Sequence, residues 1–368
     1  MAPVWLINFI KKTYSSLSAD VKPKHVFAAL NELYQKTFDE NYDKAKKISF
    51  HPKQDKFVLL SDQHRGNGDN ADDFRLSASN FDAALDYYLA NGFTYINMGD
   101  SEECWKNPSQ KVIDTYRNQL QKEATFQAQK RMYRLWGNHD NNWSKDELVK
   151  KYLQPIYGAD LLVLDSLMLC TTINEKPFQI FLAHGHQGDD ANDKNYRFTK
   201  WKVRFIWAPI ERWIRFNPNK PSNNYGLKDR HNHIMYEWSK TKPNTIFISG
   251  HTHVAVFQSL SLLERLNKQL KKATENNNKE QVGAIKDAII KEEVKVKADV
   301  KKTAPNFRKP SYYNTGCCCF SDGDITGIEI EGGCIRLIKW EFKNGVHNRK
   351  VQEEASLEKI ASQIVNGQ

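Results

Sequence analysis

Five short polar blocks occur along this 368-residue chain, and each carries side chains able to bind cations or move protons. They are Asp62-Gln63-His64, Gly99-Asp100, Gly137-Asn138-His139-Asp140, Ala183-His184-Gly185-His186 and Gly250-His251-Thr252-His253. Mixed oxygen and imidazole ligands of this kind suit Mn, Fe or Zn. Two such ions, about 3.5–4 Å apart, clamp the attacking and leaving oxygens of a phosphoryl displacement. A lone Asp-x-His or Gly-Asp carries little weight, because such pairs also mark turns. Gly-Asn-His-Asp and Gly-His-Thr-His are more specific, and five blocks in one order leave coincidence a poor account. His186 fits the pattern less well; it reads equally as a neighbour of the ligands or as a structural histidine.

Every block follows an apolar run that reads as a strand: residues 57–60, 95–98, 133–136, 180–182 and 245–248. The ligands therefore sit just past strand ends, the edge at which open α/β sheets bind their ligands. A helix over 80–89 stops at Asn91-Gly92. The alternation of strands and helices predicts a layered α/β domain over 51–345. A helical extension over 1–50 precedes it and a C-terminal helix over 346–368 follows. Late strands are expected at 325–330 and 335–342.

The five blocks together resemble the motifs of the calcineurin-like metallophosphoesterases, over about Lys56 to Trp340. The resemblance implies a β-sandwich flanked by helices and two divalent metal ions, with Mn favoured and Fe or Zn as the other candidates. It assigns one ion to Asp62, His64, Asp100 and His253, and the second to Asp100, Asn138, His184 and His251, so that Asp100 bridges. His139 would stand beside the leaving oxygen, with Asp140 orienting it. The implied activity is hydrolysis of a phosphomonoester or pyrophosphate by a hydroxide held between the ions. Arg65 follows the first block; it is expected either near the phosphate or in solvent.

Two insertions interrupt the core. The first, a lid over 190–235, places Phe198, Trp201 and Phe205 on one helical face, with Arg197, Lys200 and Arg204 beside them. Pro209 ends or kinks that helix, and a second piece presents Trp213 beside Arg212. From Lys194 to Lys220 there are eight basic residues and one acidic residue. Such a pair of helices packs on the core with snorkelling cations, lies against an anionic membrane, or stacks single-stranded nucleic acid. Position and composition are similar to the lid of the UDP-2,3-diacylglucosamine hydrolases of lipid A synthesis, pyrophosphatases that work at the inner face of the membrane. The stretches Asp100–Trp105 and Tyr313–Gly316 also resemble theirs, whereas those enzymes commonly carry Arg in place of His139. The second insertion, 258–303, repeats Leu263, Leu266, Leu270 and then Val282, Ile285, Ile289 at helical spacing, which predicts a charged helical hairpin.

A net charge of +10 favours an anionic partner without choosing among nucleic acid, lipid and phosphorylated small molecules. No apolar run is long enough to span a bilayer. Residues 1–12 read as an amphipathic helix, docked on the domain or touching a membrane. Six cysteines in no disulfide-like spacing fit a reducing cytoplasm. The run Cys317-Cys318-Cys319 and Cys334 are expected as small apolar strand residues, with no metal role. The expectation is thus a cytoplasmic phosphoesterase, peripheral on the inner membrane face if the lid is interfacial. A nucleic-acid phosphodiesterase and a non-catalytic scaffold are the alternatives.

Overall fold

A computed structural model describes residues 22–188, 225–275, 282–283, 285–290 and 309–366. The expected helix over 1–12 and the lid residues Arg197, Lys200, Trp201, Arg204, Phe205, Arg212 and Trp213 lie outside these.

The run Phe57-Val58-Leu59-Leu60 is strand β2 (β1 being Ala45–Ser49), and all four of its residues are buried. The reason is that both faces are covered. Phe57 and Leu59 pack with Ile96, Leu135, Ile180, Leu182, Ile246 and Ile248 in a core between two sheets. Val58 and Leu60 turn the other way, toward Phe81, Leu85, Tyr88 and Phe126. A strand buried on both faces reads as a continuous apolar run instead of an alternation.

Among the described residues, seven strands form each sheet. Beyond β2, the strands run β3 (Thr94–Asn97), β4 (Met132–Leu135), β5 (Val163–Leu164), β6 (Ser166–Ile173), β7 (Lys176–Leu182) and β8 (Thr245–Ser249). They continue as β9 (Val256–Phe257), β10 (Leu260–Ser261), β11 (Tyr312–Asn314), β12 (Ile325–Glu331), β13 (Cys334–Lys343) and β14 (Val346–Ser356). One sheet has the order β1-β6-β7-β8-β11-β9-β10 and the other β14-β13-β12-β2-β3-β4-β5. The parallel trio β2-β3-β4 ends at three of the polar blocks, and the parallel pair β7-β8 ends at the other two.

Helices cover the outer faces. Helices α2 (Ala78–Ala90) and α3 (Arg117–Ala128) supply the second of these cores. On the opposite side, Val26, Leu30 and Leu33 of α1 (Pro23–Lys36) join Met235 and Trp238 of α4 (Tyr225–Ser239) over Met168, Phe181 and Phe247. In the second insertion, Leu263, Leu266 and Leu270 of α5 (Leu262–Glu275) meet Val282, Ile285 and Ile289.

Two expectations fail at the sheet edges. The N-terminal extension is not helical throughout, since β1 pairs in parallel with β6. The segment 346–356 is not helix; it pairs antiparallel with β13, and only Leu357–Asn366 is helical, as α6. Both β1 and β14 are edge strands with solvent on much of their surface. Their lysine-rich and charged sequences suit an exposed edge and leave no apolar alternation to detect.

Arg65 is also misplaced by the sequence reading. It reaches neither a phosphate position nor solvent but is fully buried, pairing with Glu123 of α3 and, at 3.2 Å, with Glu102. Arg134 pairs with the same Glu102, whose Oε2 also accepts from Trp143 Nε1 at 2.8 Å. Tyr157 closes the set, donating to Glu123 at 2.7 Å and accepting from Arg134 at 3.1 Å. Two cations and two anions thus neutralise one another beneath the polar blocks. Removing one partner of such a buried set leaves an uncompensated charge that costs about 3–5 kcal/mol. Glu123→Ala, which touches no candidate ligand, should lower the unfolding free energy by that amount in urea titrations; a change under about 1 kcal/mol would show that the network carries no stability.

Candidate metal centre

The blocks stay in register because strand pairing continues past the strand ends. Asp62 N–H donates to Gly99 O at 3.0 Å, His64 N–H to Asp100 O at 3.0 Å, and Arg65 N–H to Ser101 O at 2.9 Å. Within this frame Asp62, His64 and Asp100 have φ of 54°, 50° and 54°, and His251 and His253 have 71° and 59°. Left-handed backbone at non-glycine residues costs on the order of 1–3 kcal/mol and gathers at functional sites. The glycines of the blocks are needed for space: a Cβ on Gly250 would come within 2.5 Å of Asp62 Oδ2, and one on Gly137 would overlap Asp100 and His184.

The structure brings six of the seven expected ligands together, and Asn138, the seventh, precedes His139, whose backbone N–H donates to Asp100. Asp62, His64 and His253 form one group and Asp100, His184 and His251 another, each with ligand atoms within 4.8 Å of one another. His253 Nε2 lies 3.2 Å from Asp62 Oδ1 and 3.0 Å from His64 Nε2. Asp100 Oδ2 lies 3.7 Å from His64 Nε2 and 3.1 Å from His184 Nε2, so this carboxylate stands between the two groups. His184 Nδ1 meets Met98 O at 2.9 Å, which leaves Nε2 for the centre. His251 N–H donates to both carboxylate oxygens of Asp62, at 3.2 and 3.0 Å, and Ser61 Oγ donates to Oδ2.

Electrostatics fit a cation site. Burial opposes ionisation of Asp62, yet His253 and His64 hold its carboxyl well below the usual range. Burial likewise opposes a charge on His184, and Asp100 overrides it and lifts the imidazole to about 9. Binding an ion at His184 Nε2 would displace that proton. Asn138 Oδ1 and His184 Nε2 are buried without a hydrogen bond. Orphaned ligand atoms in a set of carboxylate, amide and imidazole fit divalent ions. Asp62, His64, Asp100 and His253 would hold one, and Asp100, Asn138, His184 and His251 the other.

His139 keeps 17% of its side-chain surface exposed, against 1% for His64 and Asp100, so it borders the opening. The group that orients it is not Asp140. Asp140 accepts from the backbone N–H of Gly137 and Ser101, at 2.6 and 2.8 Å, and shapes two of the loops instead. Burial, then Asp100 and Glu102, push its carboxyl up to about 7. Glu103 takes the expected role, with Oε2 at 2.9 Å from His139 Nδ1 and 3.5 Å from His64 Nδ1. Trp105 stacks on the His139 ring at 4.5 Å and donates from Nε1 to Asn138 O at 2.6 Å. Sequence reasoning missed Glu103 and Trp105; the acidic-aromatic stretch after Asp100 was the signal available.

Further residues support the ligand loops. Asn314 Nδ2 donates to Gly250 O at 2.6 Å and sits 3.2 Å from Thr252 Oγ1, holding the His251–His253 turn. His186 is buried against Trp136 at 4.8 Å; burial and neighbouring His184 lower its basicity to about 3, so it is neutral. His231 of α4 lies 5.2 Å from His251 and meets Gly185 O at 2.9 Å.

A family model described as calcineurin-like phosphoesterase matches residues 40–255, more than half of the chain. Among solved structures the chain is similar to vacuolar protein sorting 29 from Cryptosporidium parvum. That likeness has 12% identity and a TM-score of 0.29, and covers 82% of this chain and 98% of that one. No curated protein matches the chain. Two helix-flanked sheets with cation-ligand groups at their strand ends and a matching family model agree: the chain belongs to the calcineurin-like phosphoesterase family, whose members are metal-dependent hydrolases.

Proposed function

We propose that the protein hydrolyses a phosphomonoester or pyrophosphate at a centre of two divalent ions, with manganese the favoured metal. The observation that carries this reading is Asp100, one buried carboxylate within 3.7 Å of imidazoles from both ligand groups. When bound, the ions would supply charge neutralisation at the phosphoryl oxygens and activation of water. The protein's own contribution centres on His139. Glu103 accepts the Nδ1 proton and fixes the tautomer, and Trp105 fixes the ring plane. In the doubly protonated ring the remaining nitrogen carries a proton that it can give to the leaving oxygen, which leaves the neutral Nδ1–H tautomer that Glu103 holds. Burial opposes ionisation of Glu103, but His139 holds its carboxyl well below the usual range, so it stays a hydrogen-bond acceptor at neutral pH.

A positioned acid of this kind contributes about 10²–10⁴-fold. With Mn-loaded protein and a panel of monoesters, diesters and nucleotide-sugar pyrophosphates, His139→Ala should lower turnover by that factor while both metals remain. The loss should be smaller for a p-nitrophenyl ester, whose leaving group needs little protonation. Equal losses for good and poor leaving groups, or loss of metal, would contradict the acid role.

A lipid-linked substrate and contact with the inner membrane face are the finer reading, with a nucleic-acid diester as its rival. What supports it is the basic, aromatic composition of 194–220 and where that segment attaches. The segment follows His186 in the sequence and precedes α4, whose His231 lies 5.2 Å from His251. No helix among the described residues is long and apolar enough to cross a membrane. Each basic residue near an anionic surface is worth about 1 kcal/mol. Reversing Lys200 and Arg204 to Glu should therefore weaken sedimentation with anionic vesicles by at least about tenfold and spare hydrolysis of a small soluble ester. Unchanged vesicle binding, or steeply salt-dependent DNA binding in its place, would sink the lipid reading.

A further inference from the structure

The run Cys317-Cys318-Cys319 does not lie in a strand; it forms the loop after β11. Cys318 N–H donates to Ser61 O and Asp62 O at 3.1 and 3.2 Å, which ties this loop to the first ligand block. The Cys318 thiol turns toward Thr326 O at 3.8 Å. The thiols on either side of it meet each other and the far side of a histidine. Cys317 Sγ, Cys319 Sγ and a His253 ring nitrogen lie within 4.8 Å of one another, and Cys319 Sγ is 3.9 Å from His253 Nδ1. The opposite nitrogen, Nε2, is the one that faces Asp62 and His64. The imidazole therefore presents one nitrogen to the phosphoesterase centre and the other to a pair of thiols.

We propose that Cys317, Cys319 and His253 Nδ1 form a separate site for a thiophilic divalent cation of the zinc or cadmium class. Two sulfurs and an imidazole are the ligand set such ions prefer, whereas manganese and magnesium favour oxygen. Three protein ligands leave a fourth position for solvent. Cys317 is buried and Cys319 is partly exposed, which gives an entry path from the Cys319 side. Lys228 is near enough to interact electrostatically with both thiols. Because His253 Nε2 faces the Asp62 group, an ion bound at Nδ1 while Nε2 is occupied takes the place of the ring proton, which leaves to solvent, and the resulting imidazolate joins the two sites.

The test uses the full chain, loaded with manganese and kept reduced by a phosphine, titrated with cadmium and followed by thiolate-to-cadmium absorption in the ultraviolet. Wild type should develop the band and saturate at one equivalent per chain. Cys317→Ser and Cys319→Ser should each weaken cadmium binding by more than the roughly 10–100-fold that outer-sphere partners carry. Cys334→Ser, distant in the sequence and outside the cluster, should leave it intact. Cys319→Ser, at the partly exposed position, serves if Cys317→Ser fails to fold. Absence of the band in folded wild type, or an undiminished band in Cys319→Ser, would overturn the proposal. Because the band reports sulfur ligation alone, the result stands whether or not the protein hydrolyses any phosphoester in the panel.

Discussion

Convergence of seven candidate ligand residues from two different sheets on one buried volume is the constraint on which the rest of the structure depends. Six of the seven are buried and His251 is nearly so. They come from three strand ends of one sheet and two of the other, so the sheets must keep a fixed relation for the ligand groups to exist. The aliphatic core between the sheets sets that relation. Hydrogen bonds then carry it into the loops: Thr315 Oγ1 and Ser61 Oγ, from segments following β11 and β2, lie 2.6 Å apart.

Placing carboxylates and imidazoles so close together is unfavourable before any ion arrives. Five ligands sit in left-handed backbone, and burial opposes the charged forms that His184 and Asp62 keep only through their oppositely charged neighbours. The scaffold over-determines the arrangement. Arg65 and Arg134, held by Glu102 and Glu123, anchor the loops of the first two blocks from below. Glycines at 137 and 250 admit the side chains that a Cβ would exclude. A stable but strained ligand cage of this type is preorganised for ions in the sense that little further ordering is needed when they bind.

The fold's centre was legible in the sequence because residues that are buried on both faces spell continuous apolar runs, and each run ended in a ligand block. The edges were not legible. Strand β14 carries Arg349, Lys350, Glu353 and Glu354, exposed or half-buried, and has no period to read. Partners across sequence were equally hidden. Arg65 reads as a phosphate contact or a solvent-facing cation because its partner Glu123 is 58 residues away on a helix, and charge type alone cannot tell a buried pair from a ligand. The role that the resemblance implies for Asp140 belongs to Glu103, because the turn at Gly137 points the Asp140 carboxylate into backbone amides. The cysteine run reads as small apolar residues, since spacing does not reveal that Cys317 and Cys319 face His253.

The central claim is that Asp100 is shared by two ions. Electron paramagnetic resonance of the protein loaded with two equivalents of manganese tests it most directly, because ions bridged by one carboxylate are magnetically coupled. The account predicts a coupled two-manganese spectrum in wild type that collapses to that of isolated manganese in Asp100→Asn. An isolated-ion spectrum from wild type, with one manganese per chain at saturation, would contradict it.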